Sequence, residues 1–405
     1  MHKSIKKGLL TVSTLAVFAA VGATGYLGSM TSRACFGSDL QIPDLTNDPH
    51  FSSSYEEARL KFTNAVESRD QSVTSIQNPV AGPNGEALTL DYSTFGPKEA
   101  ENLLVIVSGS HGVEGFAGSG IQTSLISSGR LDDLPANTRV LLVHALNPYG
   151  MAHLRRVNED NVDLNRNFLD HSNLPPENEA YAELAQYIAP KSLSFFSDVR
   201  SWANMLGYRA IKGDAAARKA LTTGQYAYND GLFFGGNKET WSNTTLRTLL
   251  ADQVAGAKRT VVIDIHTGLG EFGAIETIMN SAETAPEVIT AKAIWGDTVR
   301  TTANGESVSQ HLSGTMKLGL QEMFKGQDIT VAAVEFGTVP GLDVVKALRA
   351  RNWLHHHGGP DNPRADEIKA CILAAFYPNS PEWRATILDK GMHSVEQVFE
   401  YFASS

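Results

Sequence analysis

Short, largely apolar strand-like runs alternate along this chain with longer stretches in which apolar residues recur at helical spacing. The strand-like runs at 88–92, 103–107, 140–146, 260–265 and 329–334 predict strands. Helical spacing covers 55–68, 115–127, 177–188, 240–257, 286–301 and 342–353. A continuous apolar strand such as 103–107 has no face to give to water, so it is expected to be covered on both sides. Strands of that kind separated by helices predict an α/β fold, with helices flanking both faces of a sheet. No repeat of fixed period interrupts the pattern. The interval 195–240 is rich in Gly, Asn, Tyr and Ser and reads as an elaborated loop region or a helical insertion.

At 405 residues the chain can bury a sizeable core. Its charge is mildly acidic, with Lys+Arg 34 against Asp+Glu 44, and no basic run occurs in the body of the chain, which disfavours a nucleic-acid partner. The two cysteines, Cys35 and Cys371, are too few for a Cys-rich zinc finger or a disulfide scaffold; they either pair across the fold or remain thiols. At the start, Lys3, Lys6 and Lys7 precede an uncharged stretch over 9–27, and Val21-Gly22-Ala23 offers a small-residue cleavage site. Residues 1–30 are therefore expected to be a signal peptide that exports the chain to the periplasm or beyond, the alternative being an anchor that keeps 9–27 in the membrane. Segment 31–55 reads as a linker, and 56–405 as one domain carrying the 195–240 insertion.

Polar clusters collect where the apolar runs stop. His111 and Glu114 follow one strand, Asn147 to Phe168 another, Asp264 to Gly268 a third, and Glu335 closes a fourth. In open α/β sheets ligands lie beyond the carboxyl ends of the strands, where loops converge on a rigid frame. A lone histidine at a strand end is more often a hydrogen-bonded structural residue, but four clusters at equivalent ends point to one site. An imidazole and a carboxylate three residues apart, as in His111 and Glu114, can meet on one small cation, of which zinc suits the donors best. No nucleophile elbow, phosphate loop or dinucleotide fingerprint is present, so a Ser-His-Asp reading that draws on Ser110 and His266 lacks its elbow.

In order and character, His111-Gly112-Val113-Glu114, Arg156, Asp163-Leu164-Asn165-Arg166-Asn167-Phe168, His266 and Glu335 resemble the zinc carboxypeptidase superfamily, which includes the succinylglutamate desuccinylases and aspartoacylases. The resemblance spans about residues 85–375. It implies a twisted, mixed sheet of about eight strands with helices on both sides. It also implies Zn2+ held by His111, Glu114 and His266, with Asp163 as the carboxylate behind the first histidine. Glu335 would be the general base, and Arg156, or the adjacent Arg155, the group that polarises the scissile carbonyl. Asn165 and Arg166 would hold the carboxylate of the substrate. The implied activity is hydrolysis of an amide bond beside a carboxylate, in a small peptide or an N-acyl amino acid. A non-catalytic exported protein that holds metal or peptide on the same fold is the alternative.

Two features lie outside this assignment. Tyr226 and Tyr228 sit in the insertion, where an aromatic lid over a substrate or ordinary loop packing are both open. His355-His356-His357 precedes Gly358-Gly359-Pro360, and consecutive histidines on a helix point in different directions. They are expected at a helix end, with imidazoles near the negative pole of the dipole, rather than on a second metal.

Overall fold

A computed structural model describes residues 40–305 and 307–404. The expected signal or anchor segment, the start of the linker and Cys35 lie outside the described residues. Among the described residues no helix is long and apolar enough to cross a membrane. Cys371 is buried in the main core.

The eight strands are β1 (Thr74–Gln77), β2 (Thr89–Phe95), β3 (Asn102–Val107), β4 (Thr138–His144), β5 (Arg259–Thr267), β6 (Ile275–Met279), β7 (Val299–Thr301) and β8 (Asp328–Phe336). They form one mixed sheet in the order β1-β2-β4-β3-β5-β8-β6-β7. β4, β3, β5 and β8 run parallel in its centre, while β2 pairs with β4 and β6 with β8 in antiparallel fashion. Every residue of β3 and β4 is buried, as expected for strands apolar on both faces.

The two faces of the sheet feed two cores, and the period of two along each strand sorts the side chains between them. Leu104 and Ile106 of β3 join one core with Ile263 and Ile265 of β5, under the helices Tyr55–Glu67, Gly115–Ser127, Ala365–Phe376 and Pro381–Ser404. Leu103, Val105 and Val107 face the other core with Val262 and Val331, under the helices Trp241–Val254 and Met316–Met323.

Chain direction then creates the crevice. The crossover from β3 to β4 uses Gly115–Ser127 on one face, whereas Trp241–Val254 leads into β5 on the opposite face. The chain thus leaves β3 over one face and enters β5 over the other, and the site residues collect at the carboxyl ends of these adjacent strands.

Several boundaries differ from those read in the sequence. β4 ends at His144 because Ala145 takes a left-handed conformation (φ 57°). β5 continues to Thr267, so His266 lies inside a strand rather than after it. The helix expected over 286–301 ends at Trp295; Gly296 (φ 55°) turns the chain into a 3-10 turn and then the edge strand β7. Within the 195–240 insertion, two helices, Phe195–Lys212 and Asp214–Thr222, precede an irregular segment. The short strands β1, β6 and β7 and the helices Met316–Met323, Ala365–Phe376 and Pro381–Ser404 were not apparent in the sequence pattern.

Candidate metal centre

The segment that follows β3 is shaped by glycine. At Gly112 (φ 25°) a Cβ would lie 2.0 Å from the Arg155 carbonyl oxygen, so the turn that carries His111 packs directly on the 150–155 backbone. A 3-10 turn, Gly112–Glu114, then brings Glu114 back beside His111. His111 Nδ1 and Glu114 Oε1 are 3.1 Å apart.

His266 comes from β5 and completes the group. Its Nδ1 lies 3.1 Å from Glu114 Oε2 and 3.1 Å from His111 Nδ1. The three side chains are 4%, 2% and 3% exposed, and ligand-type atoms from all three fall within 4.8 Å of one another. Among the described residues this is the one cluster of three or more His, Cys, Asp or Glu side chains that can hold a metal ion.

Each imidazole has a carboxylate at its far nitrogen. His111 Nε2 is 3.0 Å from Asp163 Oδ1, and His266 Nε2 is 2.5 Å from Asp264 Oδ2. Such pairs fix the ring orientation and leave Nδ1 facing inward as a donor to a cation. Two neutral imidazoles and one carboxylate suit a tetrahedral zinc site with a position left over. The orphan-free outer contacts and the inward-facing donor atoms thus fit a zinc-sized ion.

Asp163 is the carboxylate that the resemblance implies here, whereas Asp264 is a second one that the resemblance does not imply. An Asp-x-His pattern on a strand was the available signal, because residues two apart share a face. Ser110 donates to the other oxygen of Asp264 at 2.5 Å. The order Ser110, Asp264, His266 puts the carboxylate between hydroxyl and imidazole, so Ser110 has no base at hand and the Ser-His-Asp reading fails on geometry.

Charge organises the rest. Burial opposes ionisation of Glu114, but His111, His266 and Arg156 outweigh it and hold its carboxyl well below the usual range. Burial likewise opposes a charge on His266, yet Asp264 and Glu114 push it up to about 10. A proton and a cation therefore compete for the same ring. Asp163 is buried and held well below the ordinary carboxylate range by Arg156 and Arg166.

Arg156 spans this group: Nε donates to Glu114 Oε1 at 3.2 Å, Nη1 donates to Asp163, and Nη2 lies 3.0 Å from His111 Nδ1. Phe233 lies across its guanidinium at 5.5 Å. Arg155 points elsewhere, with Nη2 donating to Asn161 Oδ1 at 2.5 Å. Structure thereby separates two neighbours that the sequence left open.

Glu335 is the register partner of His266 on the adjacent strand. It is 7% exposed and accepts from the Leu269 backbone N–H at 2.8 Å. Burial, reinforced by the charge on Glu114, pushes it up to about 7. Lys317, in the first turn of Met316–Met323, is also buried at 7% exposed. Burial brings its ammonium down to about 8 against the pull of Asp264 and Glu335. No sequence motif marked it, because one lysine in an amphipathic helix carries no signal of where its tip ends.

Asn165 and Arg166 do reach the centre, but their polar atoms are engaged. Asn165 Oδ1 accepts from the Met316 N–H at 2.9 Å, and its Nδ2 is 3.2 Å from His266 Nε2. Arg166 donates to the carbonyls of Thr223, Asn165 and Thr222 at 3.1, 2.9 and 2.6 Å. Its fork braces the carboxyl end of Asp214–Thr222 against the centre. Tyr226 donates its hydroxyl to the Arg166 carbonyl at 2.6 Å, and Tyr228 tilts against Tyr181 at 5.8 Å. Both tyrosines are packing residues of the insertion in this conformation.

His355, His356 and His357 lie in the π-helical last turn, Leu354–Gly358, after Gly341–Trp353, at the helix end where the sequence placed them. His355 does not meet the helix dipole as a cation. Burial, Arg155 and His356 push it down to about 3, so it is neutral and carries no charge for the dipole to meet.

Residues 51–390 match the model of a family described as "Protein of unknown function (DUF2817)". No curated protein matches the chain. Among solved structures it is similar to bovine thrombin-activatable fibrinolysis inhibitor in complex with tick carboxypeptidase inhibitor. That match has 11% identity and a TM-score of 0.42, over 86% of this chain and 98% of that one. It is also similar to carboxypeptidase A from Helicoverpa armigera (14% identity, TM-score 0.41, 81% of this chain and 74% of that one). A succinylglutamate desuccinylase from Silicibacter sp. matches at 15% identity and TM-score 0.36, over 71% of this chain and 67% of that one. These are the groups whose motifs the sequence resembles. At such identities and scores the likeness says nothing about chemistry.

Proposed function

Since the chain belongs to the DUF2817 family, whose description leaves function open, we propose from its own site that it is a zinc-dependent hydrolase of an amide bond lying beside a substrate carboxylate. The observation that carries this reading is the convergence of His111, Glu114 and His266, each imidazole backed by a carboxylate, with Glu335 as neighbour of His266. When bound, zinc supplies Lewis acidity that polarises a carbonyl and acidifies water.

The residues of the chain supply positioning and proton transfer. Glu335, poised near neutrality, accepts the proton of the attacking water and returns it to the leaving nitrogen. Arg156 is always cationic and lies against Glu114 and His111, where its remaining donor capacity can meet the oxyanion that forms on the carbonyl. Asp163 and Asp264 keep the two imidazoles oriented. A general base beside the ligands distinguishes this site from one that merely stores metal, since storage needs no group near pH 7. Carboxypeptidase action on small peptides and deacylation of N-acyl amino acids both fit this machinery.

Export, proposed from the first 30 residues of the sequence, would place the reaction outside the cytoplasm. The decisive assay pairs metal analysis of the purified protein with a screen of dipeptides and N-acyl amino acids. We expect about one zinc per chain and turnover that a chelator stops and zinc restores. Turnover untouched by chelation, or full activity in Glu335→Gln, would overturn the reading.

A further inference from the structure

The insertion helix Phe195–Lys212 is fastened to the rest of the protein along one side. Ser201 and Trp202 are its buried residues. Arg349 lies across the Trp202 ring at 4.8 Å and donates to Asp198 at 2.9 Å. At about 100° per residue, Phe196, Arg200, Ala203, Gly207 and Ile211 fall within about 60° of Phe196, while Asp198, Ser201 and Trp202 fall about 120° or more away. On that outward side Phe196 is 83% and Ile211 81% exposed, and a Cβ on Gly207 would meet nothing within 4 Å. Phe195, 56% exposed, sets its ring edge-on to Phe196 at 5.6 Å, which makes an apolar tip at the start of the helix. Single apolar side chains on a surface need no explanation, but two adjacent phenylalanines and an isoleucine on one unpartnered helix do.

The charges around this face have one sign. Asp198 and Asp214, the acids of this helix and of Asp214–Thr222, are each paired, with Arg349 and Arg209. Lys191, Arg200, Lys212, Arg218 and Lys219 are exposed and form no ion pair among the described residues. Glu179 and Glu183 lie in the first half of the preceding helix, Glu179–Ile188, away from its link to Phe195. The chain as a whole carries 44 Asp+Glu against 34 Lys+Arg, so the insertion helix is a cationic tip on an acidic protein.

Size and charge select what covers the face. From Phe196 to Ile211 it is about 22 Å long and, at a helix diameter of about 10 Å, offers about 220 Å². A stable protein partner needs about 800 Å² on each side, so this face is too small to hold a second copy. A bilayer surface needs less area: apolar side chains enter the boundary between headgroups and acyl chains, and the basic residues beside them meet anionic headgroups. No described helix is long and apolar enough to cross a membrane, so this one lies along the surface.

We propose that the outward side of Phe195–Lys212 docks the protein on an anionic lipid surface. Phe195, Phe196 and Ile211 enter the apolar boundary, and Lys191, Arg200 and Lys212 meet the headgroups. The contact is separate from any insertion of residues 9–27 and independent of the hydrolase reading.

The test is limited trypsin digestion of the full-length protein, with cleavage sites mapped by mass spectrometry. It is run in buffer, with phosphatidylcholine vesicles, and with vesicles of phosphatidylcholine and phosphatidylglycerol in equal parts. Insertion of 9–27 brings the whole chain to a vesicle, whereas docking of the helix shields its own cleavage sites. We expect anionic vesicles to slow cleavage after Arg200 and Lys212 by about fivefold relative to neutral ones, with cleavage after the exposed Lys325 unchanged. In the double variant Phe196→Ser, Ile211→Ser, which alters exposed side chains, that protection should fall below about twofold. Equal cleavage with both vesicle types overturns the docking, as does undiminished protection in the variant. Slowing at Lys325 to the same extent also overturns it, because the shielding then comes from attachment of the chain elsewhere. Protection that grows with protein concentration in buffer alone overturns it in favour of a second copy.

Discussion

His266 on β5 and Glu335 on β8 are direct register partners on adjacent parallel strands, and both side chains point to the same face of the sheet. Neighbouring strands lie about 4.8 Å apart, so a ligand-type imidazole and a carboxylate poised near neutrality are set side by side by backbone pairing alone. A loop could drift by more than that distance. The placement of the proposed base is therefore as rigid as the sheet.

Glu335→Gln keeps the shape and the Leu269 contact while removing the proton acceptor. Turnover is expected to fall by about 10²–10⁴-fold with zinc content unchanged, the range typical of a lost general base. Because Glu335 must be ionised to act and sits near pH 7 before any cation is added, kcat/KM should rise with pH along an acid limb centred at or below about 7. A nearby cation moves that limb lower. An acid limb kept at the same midpoint and amplitude in Glu335→Gln would remove Glu335 from the mechanism.

Metal affinity should increase with pH. Asp264 and Glu114 hold a proton on His266 up to about pH 10, and the cation must displace it. Competition titration with a chromophoric chelator is expected to show tighter zinc binding at pH 8 than at pH 6, by up to tenfold per pH unit. In Asp264→Asn the imidazole loses its charged partner, and zinc binding should weaken by about 10–100-fold. Equal affinity in the variant would mean that Asp264 does not orient the ring.

Arg166→Met separates a brace from a clamp. If the fork holds Asp214–Thr222 in place, the variant should be cut faster by protease within 195–224 while its zinc content stays intact. A variant with unchanged cleavage kinetics and a raised KM would restore Arg166 to carboxylate binding.

His144 makes the protein sensitive to acid. The ring is buried, stacked on Phe62 at 4.6 Å, bonded to Ser119 Oγ at 2.9 Å, and pushed down to about 4 by burial. The unfolded chain takes up a proton below about pH 6.5, whereas the folded chain does not until about pH 4. The stability contributed by the neutral ring is thus complete above about pH 6.5 and is lost as pH falls toward 4. The full loss is about 3 kcal/mol, and urea titrations across this range should show a smaller loss in His144→Gln. Parallel curves for the two proteins would assign the acid sensitivity elsewhere.

Much of this molecule is legible in the order of its residues. The apolar run over 103–107 and the nearly apolar one over 329–334 announce strands that need cover on both faces, since an apolar strand has no side to offer to water. The His111-Gly112-Val113-Glu114 turn announces two metal donors, because the spacing and the glycine are local constraints. Edge strands escape that reading: β1 is mostly exposed and β7 has three residues, so neither leaves an apolar signature. What the chain alone could not decide is what meets across long separations. His266 reaches Glu114 over 152 positions, and Arg155 and Arg156, identical neighbours in sequence, turn to Asn161 and to the metal centre respectively. Local sequence sets conformation through short-range sterics and burial. Which charges become partners is settled only when packing removes water and brings distant strand ends and helices into one low-dielectric space.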